Sequence, residues 1–576
     1  MVQTGDATTA TPQQSRAGRR AILTACVIAS LAPLVTAGSY HYAMRVAGVD
    51  TGFPLDDSWI HTQYARTLVE GRPFEYVPGE RSIGTTSVLF DVVWAAATLV
   101  TGEYVHTIHI LNVLLTAGVG VLLVMLLLRY RVPPLTAGVG AGLIVASYPF
   151  PWSSLSGMET ALATWLTVAA VLAHVSWAWA KGWRPLVGPV LMALAAMTRP
   201  ENLILFPLSE LDHLLMRWLH PETVRREKAA WRLALRVAAF GLTMLPYFAL
   251  NYSVHGTLVP NTYEAKVGRL RLGADIQSEG LQALGLRFKK MLEVPVDAIQ
   301  FIADDDNKIL MVLAGVGVLA CFVPRLRRGP GLKSLFPLLV FFGGTAAAGV
   351  VTLGVFFPGQ SQRYLIQWIP LALVFGVVGM DLVARAAGAI VPRAARPAYA
   401  AAVALLALAD VAGLAQLYPG QVDNYITSVK NINEMQVAIG EWVNANTPPG
   451  AVVATNDIGA IAFFGDRPVL DTIGLIDPEV VRRKRLPDHT RAMLEYLRQK
   501  RVTHALLFPS WHPDLILDSR FKPVHRVVLD DNVICGDARM VVMQVDWHGQ
   551  RQDHEAPAWW EEEQTNCRRW LRLLNF

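Results

Sequence analysis

"LVGPVLMALAAMTRPENLILFPLSELDHLLMRWL" occupies residues 186–219, and how it is read sets the parity of everything after it. As one helix it crosses a membrane once. As two short helices broken at Arg199–Pro200–Glu201 it crosses and returns. Pro200 favours the break, because it has no N–H to donate and pushes Arg199 out of the helical region. The returning path puts Arg217, Arg225, Arg226, Lys228 and Arg232 on the cytoplasmic side, as the positive-inside rule requires, and turns the bend outward.

The rest of the chain justifies a membrane setting. Of its 576 residues, 53% are hydrophobic and only 17% charged, against about 25% charged in a soluble domain. Apolar runs at 21–44, 106–128, 160–180, 335–356 and 398–417 each approach the ~20 residues that span a bilayer. The first run is too long for a signal-peptide core and is followed by no small-residue cleavage site. It is an anchor entered from the side marked by Arg16, Arg19 and Arg20. The net charge of +5 is modest. Basic residues punctuate alternate loops, a pattern of topology that speaks against nucleic-acid binding.

"TTSVLFDVVWAAATLV" (85–100) is short and carries Asp91. If it crossed, Arg129 and Arg131 would end up outside, so it reads as a helix on the outer surface. Spans near 237–254, 308–324, 335–356, 364–384 and 398–417 alternate with the clusters Arg325/Arg327/Arg328/Lys333 and Arg385/Arg393/Arg396. The expected fold is a polytopic α-helical membrane protein with about eleven crossings, N-terminus inside. It divides into a cytoplasmic tail (1–20), a transmembrane domain (21–417) with a first outer loop at 45–105, and an outer α/β domain (418–576). In that last part "INEMQVAIGEWVNANTPPG" (432–450) is an amphipathic helix with Ile432, Met435, Ile439 and Val443 on one face. "AVVATN", "HALLF" and "ARMVVMQV" read as strands. Lys266, Arg269, Arg271, Arg287, Lys289 and Lys290 fall in an outer loop against the charge rule, which suits an anionic ligand.

This topology gathers a set of polar residues at the outer face. "FPLDDSWIHTQYARTLVEGRPF" (53–74) contributes Asp56, Asp57 and His61, and "SGMETA" contributes Glu159. "TRPEN" adds Arg199 and Glu201, "PNTYEAK" adds Asn261, Thr262 and Lys266, and "QSQRYL" adds Arg363 and Tyr364. Singly, each has a plain explanation. Asp57 and Glu159 suit helix N-termini, Arg199 can snorkel, Arg363 can anchor at the interface, His61 can be structural and Lys266 can face solvent. Together, cations and acids at a membrane boundary fit a lipid phosphate and a general base.

The pieces "LDDSWIHTQYARTLVEGRPFEYVPGE", "SGMETAL", "LAAMTRPENL", "GTLVPNTYEAKVG", "SQRYLIQWIP" and "NDIGAIAFFGDRPVLDTIGLIDPEV" run from residue 55 to about 480. Through them the chain resembles bacterial membrane glycosyltransferases of the GT-C superfamily, which use polyprenyl-phosphate-linked sugars. The PNT-x-x-AK element is similar to that of mycobacterial terminal arabinofuranosyltransferases; aminoarabinose and mannosyl transferases are further relatives. The WWD hallmark of oligosaccharyltransferases is absent, and "WWEEE" (559–563) is not equivalent.

The resemblance implies a multi-pass enzyme of the bacterial cytoplasmic membrane with an extracytoplasmic C-terminal domain. It implies an inverting single displacement with Asp57 as catalytic base, Asp56 being the adjacent candidate. Glu159, Arg199, Glu201, Asn261, Lys266, Arg363, Tyr364 and His61 become substrate-binding residues. The leaving phosphate would be held by Arg363, Lys266 or Arg199, with no metal or other cofactor expected. The partners are a polyprenyl-phosphate sugar, a glycan, lipid or protein acceptor, and membrane lipid. A transporter or flippase of a lipid-linked or anionic substrate is the competing class. It should show inverted repeats and charges along a path, whereas no repeat is visible and Asp91, Asp381 and Asp410 look scattered. A glycan-binding sensor is a third reading, one that leaves the first-loop acids unused. Cys26 and Cys321 fall in apolar spans and no zinc spacing occurs. Cys535 and Cys567, both beyond the last crossing, are expected to form a disulfide.

Overall fold

The computed structural model describes residues 12–219, 229–258, 260–262, 265, 281–305, 307–323, 334–352, 363–548 and 556–574. The expectations for Lys266, Arg269 and Arg271, and for the clusters Arg225/Arg226/Lys228 and Arg325/Arg327/Arg328/Lys333, lie outside these residues.

The chain opens with a long helix α1 (Pro12–Val46), followed by α2 (Asp56–Val69), a small hairpin of β1 (Glu75–Val77) and β2 (Glu80–Arg81), and α3 (Val88–Thr101). Helices α4 (Val105–Arg129), α5 (Pro134–Ala146), α6 (Pro149–Leu155), α7 (Thr160–Trp177) and α8 (Arg184–Thr198) come next. Helix α8 stops at Arg199, whose backbone is extended (φ −145°, ψ 114°), and a 3-10 turn from Pro200 leads into α9 (Leu205–Leu219). The stretch at 186–219 is therefore two helices broken at Pro200. Helices α10 (Ala229–His255), α11 (Leu281–Asp305), α12 (Lys308–Phe322), α13 (Phe336–Thr352), α14 (Ile369–Ile390) and α15 (Ala395–Ile432) complete the bundle.

Among the described residues, six helices are long and apolar enough to cross a membrane: Arg16–Val46, Val105–Arg129, Thr160–Trp177, Ala230–His255, Ile369–Ile390 and the run Pro392–Asn446. Others, such as α3 with 14 residues, are shorter. At 1.5 Å per residue α3 reaches ~21 Å, less than the ~30 Å of a hydrocarbon core. Helices α12 and α14 approach most closely through glycine. A Cβ on Gly317 would fall 2.0 Å from the Phe375 carbonyl oxygen, and one on Gly379 would fall 2.0 Å from that of Leu313. Small residues that let backbones touch are the usual means of packing helices where lipid removes the hydrophobic incentive.

Helix α15 continues without a break, through a π turn at Asn433–Val437, into α16 (Ala438–Asn446). A mixed sheet follows. Its strands β3 (Val453–Thr455), β4 (Val469–Asp471), β5 (His504–Leu507), β6 (Phe521–Val528) and β7 (Arg539–Val545) lie in the order β4-β3-β5-β7-β6. Strand β3 pairs in parallel with β4 and β5, and β7 is antiparallel to β5 and β6. Val453, Leu506 and Val542 on one face pack with Met435, Ile439 and Val443 of the amphipathic helix. Ala454, Leu507, Val541 and Met543 on the other face pack with Leu497 of the helix His489–Gln499 and with Trp560 and Cys567 of the final helix (Trp559–Leu574).

That two-faced sheet overturns the disulfide. Cys535 and Cys567 are free thiols. The Cys535 thiol exchanges a hydrogen bond with the Gln436 side chain beside the first face, and Cys567 is buried in the cluster on the second. The strands stand between them.

Candidate active site

Two helices hold the first-loop helix α2 in place. Its N-terminus begins with Asp56 and Asp57, but neither supplies the cap expected of an acid there: the capping position is Leu55, with no side-chain bond. Asp56 turns away from α2. Its two carboxylate oxygens each accept a 2.8 Å bond, one from Gly459 N–H and one from Ala460 N–H, at the start of α17 (Gly459–Gly465). Gly459 is required there, since a Cβ would fall 2.1 Å from the Asp56 carbonyl oxygen. Further ties fix the same joint: Arg66 donates to the Phe463 carbonyl at 2.9 Å and Tyr76 to that of Ile458 at 2.8 Å. Burial raises the Asp56 pKa, helped by Asp457 nearby, and burial raises that of Asp457 to about 6.

Asp57, one residue on, faces a cavity of about 430 Å³. The same cavity is lined by His61, Glu159, Arg199, Glu201, Thr262, Arg363 and Tyr364. Residues from five separated stretches of sequence thus meet at one end of the bundle, beneath the sheet. Apolar walls from Met244, Tyr247, Phe248 and Ala348 complete it. Asn261 and Asp56 are not part of the lining. The Asn261 amide donates instead to the Gly474 and Leu475 carbonyls, at 2.6 and 3.2 Å, pinning the segment after α10 to the loop after β4. Lys266 lies outside the described residues.

The charged groups form two linked sets. Arg363 Nη2 donates to Asp57 Oδ2 at 2.8 Å. Its side chain is only 5% exposed, yet Nε and Nη1 have no partner among the described residues. A buried guanidinium with two unused donors is a ready anion site. Arg199 donates from Nη1 to Glu159 at 2.6 Å and from Nε and Nη2 to Glu201 at 2.9 and 2.7 Å. The Tyr364 ring joins the sets, with the Arg199 guanidinium 5.0 Å and the Arg363 guanidinium 5.2 Å from its centroid.

Behind them, His61 Nδ1 sits 2.7 Å from Asp91 Oδ1 and Nε2 sits 3.3 Å from Glu159 Oε2. Burial opposes a charged imidazole, but the two carboxylates outweigh it and raise its pKa to about 10. Burial likewise opposes ionised Glu159, and Arg199 with His61 overcomes it, holding that carboxyl at about 2. His61 is therefore a cation that orients Glu159, and through it Arg199.

Asp91 is the residue that sequence reasoning misplaced. It looked like one of several scattered charges, but it is the buried partner of His61, 30 positions away, and no spacing signal links them. Asp381 is also paired, with Arg385 and Tyr399. Thr85 and Gly84, further lining residues, carry no chemistry a sequence could flag. Among the described residues no group of three His, Cys, Asp or Glu side chains is placed to hold a metal ion.

Comparison with known proteins bears on the fold. A family model described as a domain of unknown function, DUF8728, matches residues 430–560, the part that holds the sheet. No curated protein sequence matches the chain. Several solved structures do. The apo oligosaccharyltransferase of Archaeoglobus fulgidus aligns with a TM-score of 0.54 at 13% identity, covering 84% of this chain and 69% of that one. The same organism's AglB, in complex with an inhibitory peptide and a dolichol-phosphate, gives a TM-score of 0.52 at 13% identity with the same coverage. ArnT from Cupriavidus metallidurans bound to undecaprenyl phosphate gives 0.51 at 12% identity, covering 91% of this chain and 97% of that one. The chain shares the fold of these solved structures.

Proposed function

We propose that this protein is an integral-membrane glycosyltransferase that moves one sugar from a polyprenyl-phosphate donor to an acceptor hydroxyl, with inversion. The observation that carries the reading is the pairing of Asp57 with Arg363 on one cavity wall, where two of the guanidinium's donors have no partner among the described residues. Its support from the fold is that one neighbour is bound to undecaprenyl phosphate and another to a dolichol-phosphate.

In this mechanism the donor phosphate takes the free Nε and Nη1 of Arg363 and competes with Asp57 for Nη2. The carboxylate is thereby released to accept a proton. An acceptor O–H gives that proton to Asp57 Oδ2 as its oxygen bonds to the anomeric carbon from the face opposite the phosphate. The bond between that carbon and the phosphate oxygen breaks, and polyprenyl phosphate leaves with the electron pair, stabilised by Arg363. Arg199, braced by Glu159 and Glu201, also packs on the Tyr364 ring. The apolar wall of Met244, Tyr247 and Phe248 suits the first units of a polyprenyl chain.

The topology that goes with this reading has about eleven crossings. The tail 1–20 is cytoplasmic, 21–417 forms the membrane domain, and 418–576 together with the cavity sits on the extracytoplasmic side of a bacterial cytoplasmic membrane. The enzyme is of the arabinofuranosyltransferase-like class and acts in cell-envelope biogenesis.

The test is to incubate membranes holding the full chain with a panel of radiolabelled polyprenyl-phosphate sugars. Transfer from at least one donor, absent with Asp57→Asn, is expected. No transfer or donor consumption from any member overturns the reading.

A further inference from the structure

The molecule has a second cavity, of about 370 Å³, where the β1–β2 hairpin meets edge strand β4 and the last residues of α10, Val254 and His255. We propose that it binds the phosphate of an anionic phospholipid headgroup at the membrane surface. This site is independent of the transferase reading above.

The cations of the lining carry the argument. Arg81, Arg482 and Lys500 stand in it with Glu80, Asp471 and Asp477. The acids are committed elsewhere. Glu80 pairs with Lys500 at 3.0 Å. Asp471 is fully buried and accepts the N–H groups of Ile473, Leu475 and Ile476. Asp477 accepts from the Tyr496 hydroxyl at 2.7 Å and from the Glu479 N–H at 3.0 Å. The Arg81 guanidinium has no ion pair or hydrogen bond among the described residues. Arg482, 72% exposed, reaches Glu479 at 3.2 Å, and that carboxylate lies outside the lining and also holds Arg483 at 2.9 Å. Two guanidiniums on one cavity thus keep most of their donors for a ligand, and their fork of N–H groups matches phosphate oxygens.

The sheet adds two more donors. Strand β4 lies at the edge and pairs with β3 alone. The Pro468 carbonyl and the Thr472 N–H both bond toward β3, each at 2.9 Å. The alternation of a parallel ladder then turns the N–H groups of Val469 and Asp471 to the open side, where both residues line the cavity. Both are buried, and a buried N–H without a partner is rare unless something else accepts from it.

Placement selects a lipid as the source of the anion. Helix α10 is among those long and apolar enough to cross a membrane. Tyr252 and Leu258, on either side of Val254 and His255, are 63% and 57% exposed, as suits a lipid-facing helix end at an interface. The floor of the cavity is therefore at the membrane surface, where phospholipid headgroups are concentrated. An acidic peptide adding as a strand to β4 is the competing occupant. With three residues, β4 offers it a short edge, and strand addition makes no use of the contact with α10. A headgroup seated here touches hairpin, sheet and helix together, and so ties the outer domain to the bundle.

The experiment titrates the purified full chain, in neutral detergent, with phosphatidylglycerol, phosphatidylcholine and glycerol 1-phosphate, and follows bound molecules by native mass spectrometry. A peptide of alternating Glu and Val tests strand addition. Phosphatidylglycerol is expected to bind at least about tenfold more tightly than phosphatidylcholine, and to lose about tenfold in Arg81→Ala/Arg482→Ala. Arg81→Lys/Arg482→Lys, which keeps the charge, should retain part of the affinity. Both side chains are exposed, so these changes do not threaten folding. Arg363 is present in every variant, so any binding of these lipids in the first cavity cancels in the comparison. Equal affinity for the two lipids, or an affinity for phosphatidylglycerol indifferent to the alanine variant, overturns the proposal. So does glycerol 1-phosphate binding as tightly as the lipid, which makes the ligand a soluble phosphate, or displacement of the lipid by the peptide.

Discussion

Asp57→Asn separates the two jobs that the structure gives to one carboxylate. The carboxylate is the proposed proton acceptor, and it is also the partner of Arg363 at 2.8 Å. An amide cannot take the proton, so turnover should fall by about 10²–10⁴, or ~3–5 kcal/mol of lost transition-state stabilisation. The amide oxygen can still accept one N–H from Arg363, so the guanidinium keeps its position. The ionic competition between Asp57 and the donor phosphate disappears, however. Partial exposure of Asp57, at 29%, keeps the lost pairing to a few kcal/mol at most. Affinity for undecaprenyl phosphate should therefore hold or rise, by up to about tenfold, ~1.4 kcal/mol. Asp56→Asn is the control. It replaces one of two oxygens that receive the Gly459 and Ala460 N–H groups and leaves one buried donor facing an amide. That should cost about 1–3 kcal/mol of stability, seen as a lower Tm, with a much smaller loss of turnover per folded molecule. Transfer rates from a labelled donor, phosphate binding by calorimetry and melting of each variant decide the matter. Turnover above a tenth of the unmodified rate in Asp57→Asn, or a dead Asp56→Asn with an unchanged Tm, would refute the reasoning.

Arg363→Ala should weaken undecaprenyl phosphate binding by at least tenfold, ~1.4 kcal/mol, and Arg363→Lys should restore only part of it, because a single ammonium cannot supply the fork of donors; equal affinities in calorimetry remove Arg363 from the phosphate site. Asp457 has its folded pKa raised to about 6 by burial, so its contribution to stability is full below the ordinary carboxylate value of ~3.9 and is lost as pH rises through about 6. Melting of the full chain should be higher at acid than at alkaline pH, by on the order of 2–3 kcal/mol, and Asp457→Asn should flatten that profile; a variant with the unmodified slope refutes it. Cys535 and Cys567 should both be alkylated in denaturant without reductant, and a linked peptide pair in non-reduced mass spectrometry would refute the free thiols.

What the sequence showed and hid follows from the range of the interactions involved. The break at Pro200 is local chemistry, a missing N–H and a clash with the residue before it, so it was legible and the structure has it. The amphipathic face of Ile432, Met435, Ile439 and Val443 is a periodic signal, and all four side chains are buried. Strands β4 and β6 escaped notice because three residues of β4 carry no alternation and β6 is broken by Pro523 with a register shift. The site divides in the same way. Parity of crossings was enough to bring Asp57, Glu159, Arg199 and Arg363 to one end of the bundle, because topology confines every such loop to a thin layer. It could not choose between Asp56 and Asp57, since that choice depends on which side chain meets Gly459, some 400 positions along the chain. Nor could it foresee Asp91, which needs a helix to pack sideways against α2 before His61 finds it. Both unforeseen residues point to the same physical conclusion. The groups facing the cavity are held by acids that do not face it: Asp56 locks α2 onto the sheet, and Asp91 keeps His61 charged against Glu159. The chemistry proposed for Asp57 therefore depends on two carboxylates that lie outside the cavity lining.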